Sequence, residues 1–267
     1  MNIDTRTCPT EESGLHPGEK FALGRWARIL PVVVLVCAWQ ALALTLDSKT
    51  LPPPGAVLDV LWQELRSGDL LFHLGMTLSR VAISFSAAML IGVALGILMG
   101  SSKSWDRVLD AFLILALNIP ALVTIILCYI WFGLSETAAL IAVTVNKIPM
   151  VAVSLREGAR AVDKKLLQVA RVYRLSRRDT FFKVYLPQLM PYLFGAARNG
   201  LSIIWKIVLV VELLGRSNGV GFQIGSYFHF FDITGILAYT LAFTLVIFGV
   251  EALILRPLET HFNRWRT

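Results

Sequence analysis

Long apolar segments constrain the fold of this sequence more than any other feature. Of its 267 residues, 56% are hydrophobic and only 16% are charged, and the mean hydropathy is +0.66. A soluble domain of this length carries more charge and fewer apolar residues. Because the apolar residues form runs long enough for helices to cross a hydrocarbon layer, the sequence predicts an integral membrane protein.

Six such runs predict the all-α fold of a polytopic membrane protein with six transmembrane helices. Segments rich in Lys and Arg stay on the cytoplasmic side of a membrane, so both termini are expected in the cytoplasm. The predicted domains are an N-terminal tail (1–28), a membrane domain (29–255) and a C-terminal tail (256–267). The predicted spans are 29–46, 76–99, 109–131, 137–155, 193–214 and 235–255.

The first run admits a second interpretation, because Ala41-Leu42-Ala43 resembles the cleavage site of a secretory signal peptide. The long polar stretch before the run and the length of the run favour an uncleaved span. Residues 47–75 then carry more acids than bases, which fits the outer side of the membrane. Within them the rigid turn at 51–55 (LPPPG) precedes a predicted short interfacial helix.

The segment 156–191 is the most basic part of the chain, with nine Lys or Arg residues against three acids. Such a segment is expected in the cytoplasm. Four of its apolar residues recur at helical spacing and predict one apolar stripe on a helix. The stripe consists of Val162, Leu166, Val169 and Tyr173.

A second short helix is predicted after this stripe. Ser176 precedes Asp179 by three residues, a spacing typical of a helix N-cap, and Pro187 and Pro191 are expected to end the helix. Two short amphipathic helices on the cytoplasmic side indicate a docking surface for a soluble partner. A solvated connector with interfacial helices is the alternative.

Gly92, Gly96 and Gly100 repeat every four residues in the second span. Small residues at that spacing allow two helices to approach closely in lipid. The alternative is the ordinary enrichment of glycine in transmembrane helices. Pro120 and Pro149 are expected to kink spans three and four, which either shapes a pathway or only bends the helices.

Polar residues inside the predicted spans are candidates for a translocation pathway. A lysine at the centre of a bilayer is costly, so it is expected to face protein or water. In one interpretation the lysines place positive potential along a pathway and favour an anion. In the other they are neutralised inside the bundle, for example by Glu212, and only fix packing. The candidates are Asn118, Asn146, Lys147, Lys206 and Glu212.

Several functional classes are disfavoured by the sequence. The three cysteines have no metal-ligand spacing, so neither a metal site nor a disulfide is expected. The four histidines fall outside the predicted spans, and no aspartate is predicted at mid-membrane depth, which argues against an intramembrane enzyme. No nucleic-acid module surrounds the basic segment, and no P-loop motif is present, so we expect neither nucleic-acid binding nor ATP binding by a P-loop.

The chain resembles the permease subunits of bacterial ABC importers, specifically the nitrate, sulfonate and taurine group. Their cytoplasmic loop has the form EAA, three residues, G, and then a stretch that ends I-x-L-P. In this sequence QVA stands at 168–170, Arg174 stands at the glycine position, and VYLP stands at 184–187. Further similarity lies at 51–81, 119–136 and 211–225. The resemblance covers nearly everything from about residue 28 to the end.

This resemblance implies a type I importer fold and a set of partners in the bacterial inner membrane. They are ABC ATPase subunits, an external solute-binding protein and a second permease copy in a homodimer within the bilayer. The chain itself would be non-catalytic and without a cofactor, and it would form the path of a small oxyanion such as nitrate, a sulfonate or taurine. The implied ATPase-coupling residues are Val162, Leu166, Gln168, Val169, Ala170, Tyr173, Arg174, Leu186 and Pro187.

Two departures from the family pattern concern this coupling. Gln168 replaces a glutamate, which removes one possible ion pair with the ATPase. Arg174 stands where the family has a glycine. Glycine suits a turn with positive φ, where a side chain is unfavourable. Either the turn has another shape or Arg174 makes a compensating contact. An ATP-independent carrier or channel is the alternative function, although such carriers usually contain internal repeats, and copurification with an ATPase distinguishes the two.

Overall fold

A computed structural model describes residues 17–46, 51–255 and 257, and the regular structure of these residues is helical. Parts of both predicted tails (1–16, 256 and 258–267) lie outside the described residues. The elements are α1 (Pro17–Leu46), α2 (Pro54–Ser67), α3 (Asp69–Ser101), α4 (Lys103–Asn118), α5 (Ala121–Phe132), α6 (Glu136–Arg160), α7 (Lys164–Val172), α8 (Arg177–Thr180), a π-helical turn (Phe181–Tyr185), α9 (Leu186–Gly215), α10 (Val220–His229), α11 (Ile233–Val250) and a second π-helical turn (Glu251–Leu255).

The chain divides into two compact units, 1–56 and 57–267. In the first unit, helix α1 carries the apolar segment Leu30–Thr45. Its large apolar side chains between 30 and 36 are exposed, as expected for a surface that faces lipid or another subunit. The Trp39 indole donates a hydrogen bond to the Pro52 carbonyl at 3.1 Å.

Helices α3, α6 and α9 form the centre of the second unit. Their apolar faces share one buried cluster, to which α5, α10 and α11 also contribute. Ile204, Val208 and Tyr239 are fully buried in it. Because these helices are apolar over most of their surface, they bury one face against each other and leave other faces exposed, as lipid-facing helices do.

The three glycines of the second span form the contact between α3 and α6. A Cβ atom at Gly92 would lie 2.6 Å from the Val151 Cβ, and one at Gly96 would lie 2.6 Å from the Ala152 carbonyl oxygen. A Cβ at Gly100 would collide with the Ala159 side chain. Of the two interpretations of this spacing, the structure therefore supports close helix contact.

The predicted third span is two helices. Helix α4 ends at Asn118 and α5 begins at Ala121, and the two axes differ by 96°. Pro120 has no N–H to continue the first helix, and the Asn118 amide donates to the Ile114 carbonyl at 2.8 Å. The expected kink is thus a sharp break at Pro120, whereas α6 continues through Pro149 without interruption.

Four described helical segments are long and apolar enough to cross a membrane, and the bent pair α4–α5 adds a fifth if it counts as one span. The apolar part of α1 is shorter. Six spans with both termini in the cytoplasm therefore stay a prediction, while the all-helical membrane fold is confirmed.

The prediction that Pro187 and Pro191 end the second short helix is wrong. Helix α8, the π-helical turn and α9 form one helical segment from Arg177 to Gly215. The Leu186 N–H bonds to the Phe181 carbonyl in the wider π pattern. Pro187 follows at the start of α9, where proline is tolerated. The π-helical turn thus lets the chain enter α9 without a break.

Helices α2 and α10 lie outside the predicted spans. Helix α2 is the short helix predicted after the proline-rich turn, whereas α10 lies in a glycine-rich stretch for which no helix was predicted. The hydroxyls of Tyr227 and Tyr239 donate to the Glu64 carboxylate at 3.0 and 2.7 Å. These two bonds join α2 to α10 and α11.

We predict that Gly96→Ala lowers the thermal unfolding midpoint of the detergent-solubilised chain, because the added methyl group would meet the backbone of α6. Overpacking of this kind typically costs about 1–3 kcal/mol. Gly75→Ala, on the exposed face of the same helix with no heavy atom within 4 Å of the new Cβ, is the control and should keep or raise the midpoint. Equal effects of the two changes would contradict the glycine contact.

Candidate functional site

The short amphipathic helix α7 carries four of the nine predicted coupling residues, Leu166, Gln168, Val169 and Ala170. The Asp163 carboxylate caps its start by accepting from the Lys165 N–H at 2.7 Å. Leu166 and Val169 on the helix and Tyr173 after it are 47%, 50% and 76% exposed. The helix therefore presents three apolar side chains to the outside of the chain, and Gln168 is exposed beside them.

The base of α7 is held by buried residues. Ala170 is buried on the inner face of the helix. Val162 precedes α7 and is buried with Ala159 and Leu189, so it anchors the segment. The prediction that Val162 shares one helical stripe with Leu166 and Val169 is therefore wrong. Leu186 and Pro187, at the start of α9, are half-buried. The predicted coupling residues therefore divide into exposed ones, such as Leu166 and Val169, and buried ones, such as Val162 and Ala170, that hold the segment against the helical bundle.

The turn after α7 has the backbone conformation that favours glycine. Arg174 has a φ of +54°. The Leu175 N–H donates to the Ala170 carbonyl at 3.0 Å, and the Arg174 N–H donates to the Arg171 carbonyl at 3.0 Å. This is the bonding expected where a helix ends in a left-handed residue. The possibility that the turn has another shape is therefore wrong, because Arg174 adopts the left-handed conformation that favours glycine.

A groove of about 630 Å³ lies beside α7. Its lining includes Leu167, Arg171 and Leu175, together with Ile97 of α3 and Phe181 of the π-helical turn. Two further arginines of the basic segment lie on α6, where Arg156 pairs with Asp110 and Arg160 pairs with Asp106 of α4. The basic segment is therefore joined to the helical bundle by ion pairs as well as by apolar contacts.

The candidate pathway residues do not form one cluster. Lys147 is buried, and its ammonium group contacts the Met150 sulfur at 2.9 Å. Lys206 is exposed and lines a cavity between α9 and α11. Asn118 is exposed at the end of α4, and Asn146 is half-buried on α6. Neither lysine forms an ion pair with a carboxylate within the described residues.

Glu212 pairs with Arg80, a residue absent from the sequence-based candidates. The Arg80 Nη1 atom lies 2.7 Å from Glu212 Oε1, and both side chains are almost fully buried. Arg80 also binds both oxygens of Glu136, at 2.7 and 2.9 Å, and Arg216 binds Glu136 at 2.9 Å. Glu212 therefore does not neutralise a lysine, which one of the two interpretations allowed, because an arginine 132 residues away is its partner.

Further hydrogen bonds tie this ion network to the start of α10. The Thr77 hydroxyl donates to Glu212 at 2.9 Å and accepts from the Val220 N–H at 2.8 Å. The Gly221 N–H donates to Glu212 at 2.8 Å. His73, which the sequence placed outside the spans, is buried in α3 and accepts from the Gly219 N–H at 2.9 Å. The network thus joins α3, α6, α9 and α10.

An arginine within an apolar run is a signal that could have revealed this network. Arg80 lies inside the predicted second span, where an ionisable residue needs a partner. Glu136 lies between the third and fourth predicted spans, where a charged residue is ordinary, so the sequence did not mark it as a candidate partner. The sequence stretch 211–225 contains Glu212, Arg216 and the hydrogen-bonding residues at the start of α10, but no spacing rule connects it to α3.

The described residues form a helical membrane domain with a buried ion network and an exposed short amphipathic helix, an arrangement that suits a transporter subunit that docks a soluble partner. Residues 92–256 match the family described as binding-protein-dependent transport system inner membrane component. The chain belongs to this family and is the permease subunit of an ATP-binding-cassette importer in the inner membrane. This family implies an ATPase and a solute-binding protein as partners.

Individual relatives agree with the predicted group. The aliphatic sulfonates transport permease SsuC of Bacillus subtilis is 31% identical over 252 residues, which is 94% of this chain and 91% of that protein. The taurine transport permease TauC of Escherichia coli is 30% identical over 87% of this chain and 86% of that protein. The predicted family and group are thereby confirmed.

The fold also matches that of a solved transporter. A crystal structure of an amino acid ABC transporter with histidines aligns with a TM-score of 0.61 at 20% identity, over 75% of this chain and 97% of that chain. This likeness confirms the fold of a type I importer permease.

We predict that Arg80→Met strongly lowers the unfolding midpoint, because it leaves Glu212 buried without a cation. Removing one member of a buried ion pair costs about 3–5 kcal/mol. The double variant with Glu212→Gln should be destabilised by less than the sum of the two single variants. Lys183→Met, which breaks an exposed pair with Asp179, is the control and should change the midpoint little. Additive effects at Arg80 and Glu212 would contradict the network.

We also predict that Arg174→Gly slows hydrogen exchange in the segment 164–176. Glycine adopts a positive φ without the cost of about 1 kcal/mol that an L side chain incurs, so the end of α7 should be more stable. Tyr173→Gly, one residue earlier at a φ of −76°, should speed exchange. Mass spectrometry of exchanged amides measures both, and faster exchange in Arg174→Gly would contradict the left-handed turn.

Proposed function

We propose that this permease couples to a separate ATPase chain through α7 and moves an oxyanion across the membrane as a homodimer. ATP hydrolysis takes place on the ATPase, and this chain supplies the pathway. The observation that carries the coupling proposal is the set of exposed apolar side chains on α7 (Leu166, Val169 and Tyr173). They are held above buried residues that connect directly to α6 and α9.

The shape of α7 supports docking of a soluble domain. Covering the exposed apolar stripe of a short helix with a partner's groove is favourable, because the apolar surface is then removed from water. The nine-residue helix is too short to be stable by itself, so its anchors at Val162 and Ala170 fix its position. A force on α7 is therefore transmitted to the core helices and is not lost in a flexible loop.

The exposed apolar surface of α4 and α5 supports assembly within the bilayer. Phe112, Leu115, Ile130 and Trp131 are 62–69% exposed in the single chain. Such a surface is stable only against lipid or a second subunit. We assign these faces to the bilayer and to a second copy of the permease.

The oxyanion assignment rests on the two lysines and the relatives. Lys147 and Lys206 bring positive charge into the membrane domain without a carboxylate partner in the described chain. The relatives above are named for sulfonates and taurine. An ATP-independent carrier is the competing function, and the copurification experiment below distinguishes it.

We predict that an ATPase copurifies with the tagged chain from its own host in gentle detergent, and that Leu166→Asp combined with Val169→Asp abolishes this. Two carboxylates on the stripe cannot be buried in an apolar groove without a large desolvation cost. Mass spectrometry identifies the bound proteins, and size-exclusion chromatography shows whether the variant is folded.

The matched control carries two aspartates on another exposed surface, Lys103→Asp with Ser104→Asp, and should retain the ATPase. Loss of the ATPase from both variants would assign the effect to charge and not to α7. Absence of any ATPase from the native chain, under conditions that preserve complexes, would favour the ATP-independent carrier.

A further inference from the structure

A cavity of about 410 Å³ lies between α9 and α11. Arg198, Ser202 and Lys206 line it from α9, and their spacing of four residues places them on one face of the helix. Asn199 adds an amide beside them. Together they supply two cations and two neutral hydrogen-bond donors along one wall.

The positive charge in this cavity is concentrated at Lys206. Arg198 lies 3.6 Å from the Glu251 carboxylate at the other end of the wall, which offsets its charge. Lys206 has neither an ion pair nor a hydrogen bond within the described part of the chain. An anion in the cavity is therefore attracted mainly toward Lys206, whose charge no carboxylate of the described residues offsets.

The rest of the cavity lining is largely apolar and partly aromatic, and it comes from Trp205 of α9 and from α11. Trp205 and Phe243 are buried with their ring centroids 5.8 Å apart in an edge-to-face contact, and Ile247 and Phe248 continue this surface. A site that combines a few polar groups with such walls is typical of small organic ligands. A bare inorganic ion would leave most of the apolar surface without a contact.

The depth of Lys206 argues against a membrane-surface ligand. With a rise of 1.5 Å per residue, Lys206 is about 12 Å or more from either end of the apolar segment 193–214. Lipid headgroups lie at the membrane surface, so they approach the Arg198 end of the cavity more easily than the Lys206 end. An exposed lysine at mid-depth needs water or protein around it, as in a pathway.

We propose that this cavity binds an organic oxyanion, with its charged head on Lys206 and Ser202 and its apolar body against Trp205 and Phe243. The site deepens the proposed function, on which it rests, by assigning the substrate class as alkanesulfonate-like anions and not small inorganic ones. Lys147, buried elsewhere between α6 and α9, does not belong to the cavity lining.

The test measures direct binding to the purified full chain in phosphatidylcholine nanodiscs, without a solute-binding protein. The probes are butanesulfonate and nitrate, and the readout is the concentration dependence of the thermal unfolding midpoint. We expect butanesulfonate to bind more tightly than nitrate. Lys206→Gln should weaken butanesulfonate binding about tenfold or more, because it removes a charge-assisted hydrogen bond.

Three comparison variants make this result specific. Lys206→Arg keeps the charge and should stay within about threefold of the native affinity, whereas Lys103→Gln removes an exposed lysine elsewhere and should have no effect. Ser202→Ala keeps all charges and should weaken binding about threefold to tenfold. If Lys206→Gln does not fold, Ser202→Ala decides the test.

Unchanged affinity in Lys206→Gln, or equal affinities for nitrate and butanesulfonate, would overturn the site. Stabilisation by phosphatidylglycerol nanodiscs that depends on Lys206, without any effect of butanesulfonate, would assign the cavity to a lipid headgroup and also overturn it. ATP-driven uptake into proteoliposomes tests the proposed function separately. Uptake that is independent of Lys206 refutes only the site, and Lys206-dependent binding without ATP-driven uptake refutes only the transport proposal.

Discussion

The buried pair of Arg80 and Glu212 is the interaction on which the arrangement of the core helices depends. Two charges removed from water are stable only when every donor and acceptor finds a partner. Here Glu136, Thr77 and the start of α10 supply these partners. Since the partners come from four helices, the charges can be satisfied only when all four helices are in place. The network therefore specifies one packing where apolar contacts in lipid would allow several.

The glycine contact between α3 and α6 acts together with this network. It brings the two backbones close over about two turns, while the ion network fixes their other ends. The ion pairs of Arg156 and Arg160 with α4 lie near the end of α6 that leads into α7. Helices α3, α6 and α9 are therefore expected to move as one rigid body that carries α7 with it. Such a body suits a transporter in which two subunits rock against each other around a pathway.

Much of this architecture is readable from the sequence because it depends on local patterns. Hydropathy gives the long helices, the spacing of Gly92, Gly96 and Gly100 gives a helix contact, and Ser176 with Asp179 gives a helix start that the structure confirms. The pairing of Arg80 with Glu212 is not readable, because no periodicity relates residues 132 positions apart. The continuous helical segment that contains Pro187 was not predicted either, since a π-helical turn avoids the break that proline usually causes. At Arg174 the spacing indicated the turn correctly, although the residue type opposed it.

The most direct test of the rigid-body account is a spin-label distance measurement in the assembled importer, on a chain whose native cysteines are replaced. One label pair joins positions 71 and 213, on exposed faces of α3 and α9, and another joins positions 98 and 172, on α3 and α7. The account predicts that both distances within one subunit stay the same between the nucleotide-free and ATP-bound states, while distances between equivalent positions of two subunits change. A shift of either distance within the subunit on ATP binding would contradict it.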